Sequence, residues 1–534
     1  FILYIRALSS LNVSYPKHQN NCFLTAKMRD DLKIFLVVVM LSFLSRATSS
    51  ISIDEWCVET PHPEPCKYFL SQTPQNLIPK SKSEFRKLAI ELAKQRAETA
   101  HGRTKLLEPK CRNEKEKSAW LDCLALYDQT ILQLSQTLDE KAKATGYDVQ
   151  TWLSTALTNI QTCRAGFVEL GVDDYVLPLM SNNVTKLISN SLALGQTNYS
   201  TTPPHTYVEG FPSWLSTSNR KLLQASSSAV NLVVALDGSG NYRTIAEAVS
   251  AAGKRSGSGR FVIHIKKGVY KENIEIGKSL KNIMFIGDGM GSTVITGSRS
   301  VNGGSTTFNS ATLAVTGDGF IARDITIQNT AGPQNHQAVA LRSGSDLSVF
   351  YRCSIEGYQD TLYVHSQRQF YRDCNIYGTV DFIFGNAAVV LQNCNIYAIK
   401  PLSNQKNTVT AQGRTDPNQN TGISIINSKV TTSWKTYLGR PWQQYSRTVF
   451  MKTYLDSMLD PAGWLEWSGN FALNTLFYGE YMNTGPGAST SGRVKWAGYK
   501  VITSATEASK FTVSNFIAGQ SWLPATGVPY TAGL

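Results

Sequence analysis

Residues 358–389, YQDTLYVHSQRQFYRDCNIYGTVDFIFGNAAV, belong to a short repeated pattern. The strings FYRCSI (350–355), FYRDCNI (370–376) and LQNCNI (391–396) recur at intervals of 20 or 21 residues. Units this short, rich in β-branched and aromatic residues, are typical of a solenoid in which each repeat packs only on its neighbours. A helical solenoid needs longer apolar-periodic runs, and the leucine skeleton of leucine-rich repeats is missing. The repeat therefore predicts an all-β fold, a right-handed parallel β-helix.

Two aspartates occupy similar positions in successive repeats. Asp360 and Asp381 are 21 residues apart, Gln359 precedes the first of them, and Gln337 lies 22 residues before Gln359. Equivalent residues of neighbouring coils stack at the spacing of paired strands, about 4.8 Å. These four side chains are therefore predicted to lie on one wall of a groove. Two carboxylates beside two amides can supply a nucleophile, a proton donor and hydrogen-bond donors, which is a catalytic arrangement.

Each of these residues also has a structural explanation when it is considered alone. Aspartates at solenoid turns often bond only to backbone groups, and glutamines can form structural ladders. Arg440 could pair with a structural acid. The cysteine ladder is expected to stack inward without a catalytic role, and it consists of Cys353, Cys374 and Cys394. As one ordered set, however, the aspartates and glutamines favour a catalytic site.

The motifs of the C-terminal part resemble a known family. The strings QAVALR (337–342), GYQDTL (357–362), GTVDFIFG (378–385) and LGRPW (438–442) are similar, in this order, to the signature segments of plant pectin methylesterases. GVYKE (268–272) and IGDGMGSTVITG (286–297) belong to the same pattern. The resemblance covers residues 229–534. It implies a pectinesterase that hydrolyses the methyl esters of homogalacturonan (pectin) to pectate and methanol.

The resemblance also implies a role for each matching residue. Asp381 is the expected nucleophile, and Asp360 is the expected proton donor and later the base. Arg440 is expected to hold Asp381 in its ionised form through charge-assisted hydrogen bonds. The expected oxyanion donors are Gln359 and Gln337. The residues expected to contact the polysaccharide are Thr307, Gln337, Phe384, Arg440 and Trp442.

The chain departs from the family pattern just before Arg440. The segment between Asp381 and Arg440 is shorter than in comparable members of the family. Ser428 stands where a cysteine is common, so Cys394 is expected to lack a disulfide partner. Because the shorter loop immediately precedes Arg440, it bears on the shape of the groove.

The N-terminal part is predicted to be helical. Apolar residues recur at i+3 and i+4 in residues 117–138 and 148–167, with Asp148 as the expected N-cap of the second segment. Residues 84–102 form a further predicted helix. Short connections between the segments predict an antiparallel four-helix bundle. In residues 117–138 the stripe predicted to be buried consists of Leu121, Leu124, Tyr127, Ile131, Leu134 and Leu138.

Residues 51–205 resemble the invertase and pectin methylesterase inhibitor family. This resemblance implies an all-α pro-domain that inhibits the esterase of the same chain until it is cleaved off. It also implies two disulfides in an oxidising compartment, Cys57–Cys66 and Cys123–Cys163, with Cys111 left free. Two sequons, at Asn183 and Asn198, predict glycosylation.

Residues 28–50 have the layout of a secretory signal peptide, a basic start followed by an apolar run and small residues. The apolar run, 34–44, is too short to span a bilayer, so we expect secretion to the plant cell wall and no stable membrane anchor. Residues 1–27 are interpreted as an upstream extension.

The linker 206–228 resembles the processing region of two-part pectin methylesterases, and a protease of the secretory pathway is expected to cut it. The alternative is a solvated linker that stays uncut. The basic processing string is Arg220, Lys221, Leu222 and Leu223.

The net charge of +13 suits a polyanionic partner. Residues 224–534 contain 27 Lys and Arg against 18 Asp and Glu. No dense basic cluster or nucleic-acid motif accompanies this excess, so methyl-esterified pectin is favoured over nucleic acid.

No close Cys/His spacing is present, and we expect neither a metal nor a cofactor. We expect a monomer, with separate inhibitor proteins as further partners.

Two other functions stay open at this point. Paired acids also serve glycosidases, so a pectin-chain hydrolase or lyase is an alternative. Oxyanion amides have no evident role in such an enzyme, and no calcium-type acid cluster is present for a lyase. Methanol release without new reducing ends separates these cases. The helical block and the short loop also fit a non-catalytic inhibitor or wall-binding protein, which would bind pectin without turnover.

Overall fold

The computed structural model describes residues 53–72, 79–195 and 230–534, and the backbone of residues 207–208 and 211–212. Residues 57–534 form the second of two units of the chain, and this second unit is compact. Among the described residues, no helix is long and apolar enough to cross a membrane. The predicted signal peptide, the processing string 220–223 and Asn198 lie outside the described residues.

A four-helix bundle forms the N-terminal part of the second unit. The helices of residues 53–195 are α1 (Ile53–Val58), α2 (Pro63–Leu70), α3 (Lys82–Lys105), α4 (Glu114–Leu138), α5 (Gly146–Glu169), α6 (Val176–Leu179) and α7 (Val184–Ala193). Helices α4 and α7 each pack against both α3 and α5, which closes a ring of four helices. Trp120, Leu153 and Ile188 are buried in its centre. The predicted bundle is confirmed.

The cysteines of the bundle pair as predicted. Cys57 is bonded to Cys66, and Cys123 on α4 is bonded to Cys163 on α5. Cys111 is free. The second disulfide joins the neighbouring helices α4 and α5, and a cross-link of this kind stabilises the fold mainly by restricting the unfolded chain.

Two details of the helical prediction are wrong. Thr145, not Asp148, is the N-cap of α5: its hydroxyl accepts a hydrogen bond from Asp148 N at 3.1 Å, and Asp148 bonds back to Thr145 N at 2.8 Å. The carboxylate three residues inside the helix completes a capping box. In α4, Leu121 is 50% exposed, whereas Trp120 and Cys123 are buried. The apolar residues of α4 satisfy helical spacing on two adjacent faces, and sequence spacing alone does not say which face is covered.

Residues 230–534 coil into a right-handed parallel β-helix with three sheets. Between residues 261 and 481, successive strands along the chain join different sheets, and each strand pairs in parallel with strands of the neighbouring coils. A separate antiparallel pair, β1 (Tyr207–Val208) and β2 (Phe211–Pro212), precedes them.

Sheet 1 has 11 strands and sheet 2 has eight. Sheet 1 consists of β3 (Leu232–Val234), β4 (Phe261–Ile265), β7 (Ile283–Gly287), β10 (Ile321–Arg323), β13 (Ser348–Tyr351), β16 (Arg368–Arg372), β19 (Ala388–Gln392), β22 (Gly422–Ile426), β25 (Arg447–Met451), β27 (Phe477–Tyr481) and β28 (Tyr499–Val501). Sheet 2 consists of β5 (Gly268–Lys271), β8 (Thr293–Gly297), β11 (Thr326–Asn329), β14 (Ser354–Glu356), β17 (Asn375–Gly378), β20 (Asn395–Ala398), β23 (Lys429–Thr432) and β26 (Tyr454–Leu455).

Sheet 3 has seven strands and carries the residues of the predicted groove. It consists of β6 (Ile274–Ile276), β9 (Leu313–Val315), β12 (Leu341–Ser343), β15 (Leu362–Val364), β18 (Ile383–Gly385), β21 (Asn407–Gln412) and β24 (Thr436–Gly439). Three helices accompany the coils: α8 (Ile245–Ala252), α9 (Ala505–Ser509) and α10 (Val513–Phe516). Helix α8 packs on the interior core at the N-terminal end, and α10 packs on the outside of sheet 1.

The interior of the β-helix is a set of side-chain ladders. Phe350 and Tyr371 stack with ring centroids 4.8 Å apart. Cys353, Cys374 and Cys394 are buried and free, so the predicted inward ladder is confirmed. Identical positions stack because each coil repeats the register of the one before it.

One residue at the turn from sheet 1 to sheet 2 has a left-handed backbone in coil after coil. Asparagine and aspartate tolerate this conformation, whereas other residues with a Cβ pay about 1–2 kcal/mol for it. Lys452 has a φ of 48° at this turn. The residues in this position are Asp324, Arg352, Asp373, Asn393, Asn427, Lys452 and Met482.

The Lys452→Asn variant is expected to be more stable than the parent by about 0.5–1 kcal/mol, because asparagine reduces the strain of the left-handed backbone. Thermal unfolding measures the gain. Lys495→Asn is the control, since Lys495 is exposed and does not have a positive φ. An equal shift in both variants would show that loss of a lysine, and not backbone strain, is responsible.

Candidate active site

Asp381 lies in the turn between β17 and β18 and is held by three donors. The Arg440 Nε donates to Oδ1 at 2.9 Å, and an Arg440 terminal nitrogen donates to Oδ2 at 2.7 Å. The Thr408 hydroxyl donates to Oδ1 at 2.6 Å and accepts from Asp381 N at 2.8 Å. Asp381 is buried. The bidentate pair fixes the orientation of the carboxylate and offsets its charge.

Arg440 follows β24 and is positioned from its backbone outward. Its N–H donates to Thr410 O at 3.0 Å, and its guanidinium carbon lies 4.5 Å from the ring centroid of Trp467. Burial alone would lower the pKa of Arg440, but the Asp381 carboxylate outweighs it and raises that pKa. The arginine therefore remains charged beside the acid.

Asp360 lies one coil before Asp381. The strands that follow the two aspartates pair with Leu362 opposite Ile383, a register of 21 residues that also places Asp360 opposite Asp381. Both have left-handed backbones, with φ of 62° and 51°. Burial, with the nearby Asp381 and Glu169 carboxylates, raises the pKa of Asp360 well above its ordinary value, although Arg440 opposes this. The protonated form of Asp360 is therefore favoured, as the acid of an acid/base and nucleophile pair requires.

The predicted oxyanion donors lie on adjacent coils. Gln359 lines a cavity of about 470 Å³ together with Arg440 and Trp467. Its oxygen accepts a hydrogen bond from Gln405 Nε2 at 3.4 Å, which leaves its own N–H groups to act as donors. Gln337 is on the preceding coil, where Ala338 N donates to Gln359 O at 3.2 Å. Backbone pairing thus brings the two amides to the same region.

Aromatic rings continue the site along the outer face of sheet 3. Tyr363 and Phe384 stack with centroids 4.2 Å apart, and Trp442 meets Phe384 edge-on at 5.9 Å. Flat aromatic faces of this kind bury large apolar surfaces. Tyr363 and Phe384 are buried because the core of the helical bundle packs on them.

Helix α5 lies along this aromatic face, and polar side chains on one side of the helix form hydrogen bonds with polar residues of the β-helix. Thr151 accepts from Asn420 Nδ2 at 2.8 Å, and Thr158 accepts from Asn386 Nδ2 at 2.8 Å. The other polar contacts of α5 with the β-helix include Asp148 to Arg368 at 2.8 Å and Thr162 to His365 at 2.9 Å. Residues at i, i+3 and i+4 share one face of a helix, so one strip of α5 makes these contacts. The sequence prediction did not include this contact.

Two carboxylates of the bundle bond to Thr306 and to the predicted substrate residue Thr307. Glu169 accepts from Thr307 N at 3.0 Å, and Asp122 accepts from the hydroxyl of Thr306. Burial raises the pKa of Glu169, although its bonds to Thr307 oppose this. Burial also raises the pKa of Asp122 to about 6, against the opposing effects of Thr306 and Arg342.

Three residues of the site were missed in the sequence prediction: Thr408, Trp467 and Tyr363. Thr408 lies 27 residues after Asp381, so its coil breaks the 20–22 residue spacing. Trp467 lies in a segment without repeat motifs. Tyr363 is within the quoted repeat, three residues after Asp360, and strand alternation could have assigned it to the outer face.

The departures from the family pattern are visible in the structure. Only residues 433–435 connect β23 to β24. The Ser428 hydroxyl accepts from Cys394 N at 3.0 Å, and Cys394 is free as expected. Asn183 is half-buried directly before α7, and its glycosylation stays a prediction.

Comparison with known proteins gives the family. The pectinesterase family model matches residues 231–520, and the plant invertase/pectin methylesterase inhibitor model matches residues 51–194. Pectinesterase 2 of Citrus sinensis is 63% identical over 512 residues, covering 94% of this chain and 99% of the relative. Probable pectinesterase/pectinesterase inhibitor 17 of Arabidopsis thaliana is 61% identical, covering 94% and 98%.

A solved structure supports the same assignment. Pectin methylesterase from carrot is 62% identical, with a TM-score of 0.57, and the match covers 58% of this chain and all of the carrot chain. The family models and the relatives agree over most of the sequence. The chain therefore belongs to the pectinesterase family and is a pectin methylesterase preceded by an inhibitor-like domain.

Proposed function

We propose that the chain removes methyl groups from homogalacturonan with Asp381 as the nucleophile. The observation that carries this proposal is the arrangement of two aspartates. Asp381 is buried and accepts hydrogen bonds from Arg440, and it lies opposite Asp360, whose pKa is raised. A carboxylate positioned by a bidentate arginine is ready to attack, and a protonated neighbour can supply the leaving group with a proton.

In the first half of the reaction, an Asp381 oxygen attacks the ester carbonyl carbon. The negative charge that develops on the carbonyl oxygen is stabilised by the amide N–H groups of Gln359 and Gln337. The bond to the methoxy group then breaks, and Asp360 gives its proton to the departing oxygen. Methanol leaves, and a mixed anhydride joins Asp381 to the sugar carboxyl group.

In the second half, Asp360 is ionised and takes a proton from water. The resulting hydroxide attacks the sugar carbonyl of the anhydride, and Asp381 departs as a carboxylate. The product is a galacturonic acid residue, and Asp360 is again protonated. Arg440 stays paired with Asp381 throughout, which stabilises the carboxylate both before attack and after release.

The pectin-chain hydrolase or lyase is less consistent with this site. An inverting glycosidase needs both carboxyl groups free to act on opposite faces of one sugar ring, and a retaining one needs them about 5 Å apart. Neither arrangement uses amide donors to an oxyanion, whereas ester hydrolysis gives the amides of Gln359 and Gln337 that function.

Asp381→Asn is expected to lower the rate of methanol release from highly methylated pectin by at least about 10³-fold, because a neutral amide is a poor nucleophile. The assay uses the chain after cleavage of the linker. Asp373→Asn is the matched control, since Asp373 is also an aspartate at a left-handed turn. Retention of more than a tenth of the rate in Asp381→Asn would refute the proposed nucleophile.

We also propose that the helical bundle inhibits the esterase of its own chain. Helix α5 covers Phe384 and the stacked Tyr363, and Glu169 occupies the backbone N–H of Thr307. A polysaccharide that needs those surfaces cannot reach them while α5 is bound.

The groups that face Asp122 are Thr306, Arg342 and Glu275, and those near Glu169 include Asp122 and Asp360.

Inhibition is expected to weaken as the pH rises. The pKa of Asp122 is raised in the bound bundle, so its contribution to binding is full below about pH 4, its ordinary range, and is lost as the pH rises through about 6. The rate of the uncut chain relative to the cut chain should therefore increase about tenfold or more from pH 5 to pH 8.

Asp122→Asn should flatten this pH dependence, because the amide stays neutral and remains bound at high pH. Asp128→Asn is the control: Asp128 is on the same helix, but its side chain is 67% exposed and lies near His101. If Asp122→Asn leaves the pH dependence unchanged, this carboxyl group does not control the release of the bundle.

We further propose that the chain is secreted to the plant cell wall and cut at Arg220-Lys221-Leu222-Leu223. Release of the bundle would then expose the groove, and separate inhibitor proteins could bind the same surface. The support is the layout of residues 28–50 and the basic string in a linker between two folded parts.

Arg220→Ala/Lys221→Ala is expected to abolish cleavage during secretion from plant cells and leave a full-length, inhibited chain. Immunoblotting of the secreted fraction measures the size of the product. Lys266→Ala/Lys267→Ala removes another basic pair and should be cut normally. A cut product from the Arg220/Lys221 variant would place the processing site elsewhere.

A further inference from the structure

The outer face of sheet 2 carries aromatic and basic side chains that the catalytic site does not use. In β17, β20 and β23, Ile376, Ile396 and Val430 are buried in the core, so their neighbours in the strand face outward. The outward residues include Tyr377 and Tyr397, which lie opposite each other in the parallel register and are partly exposed.

Flat rings and amines are paired across this face. Tyr377 and Tyr397 stack with centroids 4.5 Å apart and planes 10° from parallel. Lys429 Nζ lies 5.3 Å from the ring centroid of Tyr454, and Lys400 Nζ lies 5.3 Å from that of Trp434. Trp434 is 41% exposed and Tyr454 is 37% exposed, so these rings are accessible to a ligand.

Among the described residues, neither Lys400 nor Lys429, the two lysines of this face, forms an ion pair with a carboxylate. The acids nearby are engaged elsewhere: Glu356 accepts from the Ser354 hydroxyl at 2.6 Å, and Asp456 accepts from Thr432 N at 3.2 Å. The two amines are therefore available to an external anion.

We propose that this face binds de-esterified galacturonan. The outer-face site consists of Tyr377, Tyr397, Lys400, Lys429, Trp434 and Tyr454. An acidic polysaccharide matches its chemistry, because sugar rings stack on aromatic faces while one carboxylate per sugar pairs with lysine. The choice of galacturonan rests on the proposed function, and the charged product matches the lysines better than the neutral methyl ester does.

The position of the outer-face site relates it to the active site. Strand β17, which carries Tyr377, leads directly into the turn that contains Asp381. The polar contacts of helix α5 fall on other residues, among them His365, Asn386 and Asn420. A product chain can therefore be held beside the groove, whether or not the bundle is bound, and this keeps the enzyme on a polymer that it has begun to de-esterify.

The test compares binding of the full chain to insoluble polygalacturonate and to fully methylated pectin at low ionic strength. The parent should bind polygalacturonate more tightly, and Lys400→Gln/Lys429→Gln should raise its Kd about tenfold. Trp434→Ala should also weaken binding, without any change in charge. Methanol release from a short methylated oligosaccharide by the linker-cleaved chain should be unchanged in the lysine variant.

Lys495→Gln/Lys500→Gln is the matched control. Both lysines are exposed, and Lys500 Nζ lies 5.2 Å from the ring centroid of Phe477 on sheet 1. Parent-like binding by Lys400→Gln/Lys429→Gln, or an equal loss in the control, would overturn the outer-face site. If the cleaved parent releases no methanol, the proposed function fails, whereas the binding comparison still decides the outer-face site.

Discussion

Parallel register between successive coils is the constraint on which the rest of the structure depends. Each coil hydrogen-bonds to the next along all three sheets, so a residue's neighbours are set by its position in the repeat. The register that places Leu362 opposite Ile383 also places Asp360 opposite Asp381. A slip of one residue would turn every side chain of a strand to the other face. The register that stacks the core ladders therefore also positions the residues of the site.

The two aspartates differ because the register gives them different surroundings. Asp381 meets Arg440 and Thr408, which supply donors to its oxygens. Asp360 meets mainly buried surface and a second carboxylate, which raises its pKa. A shared groove wall thus contains one carboxylate paired with an arginine and one acid whose protonated form is favoured. This asymmetry makes a structural explanation of the pair, as simple backbone caps, unconvincing.

The repeat fold and most residues of the candidate active site could be predicted from the sequence. The 20–21 residue spacing of the cysteine strings indicates the length of one coil, and the motifs around Asp381 and Arg440 are specific as an ordered set. Thr408 and Trp467 could not be predicted, because irregular coils separate them from the repeat.

The contact of α5 with the groove was also missed, since apolar periodicity marks the face that packs inside the bundle. The polar face that contains Thr151 and Thr158 contacts a second surface, but its sequence cannot be distinguished from that of a helix face that contacts only solvent. The same ambiguity misplaced Leu121, because α4 has apolar residues on two adjacent faces.

The proposed mechanism requires a covalent bond between Asp381 and the sugar carboxyl group. The most direct measurement of this bond is trapping with hydroxylamine during turnover of methylated oligogalacturonate by the linker-cleaved chain. An anhydride would be intercepted to give a hydroxamate, either on the sugar or on the peptide that contains Asp381, above the background of the ester without enzyme. This hydroxamate is expected to form in proportion to methanol release. Methanol release at the full rate with no hydroxamate above background would mean that water attacks the ester directly, and would rule out the covalent intermediate.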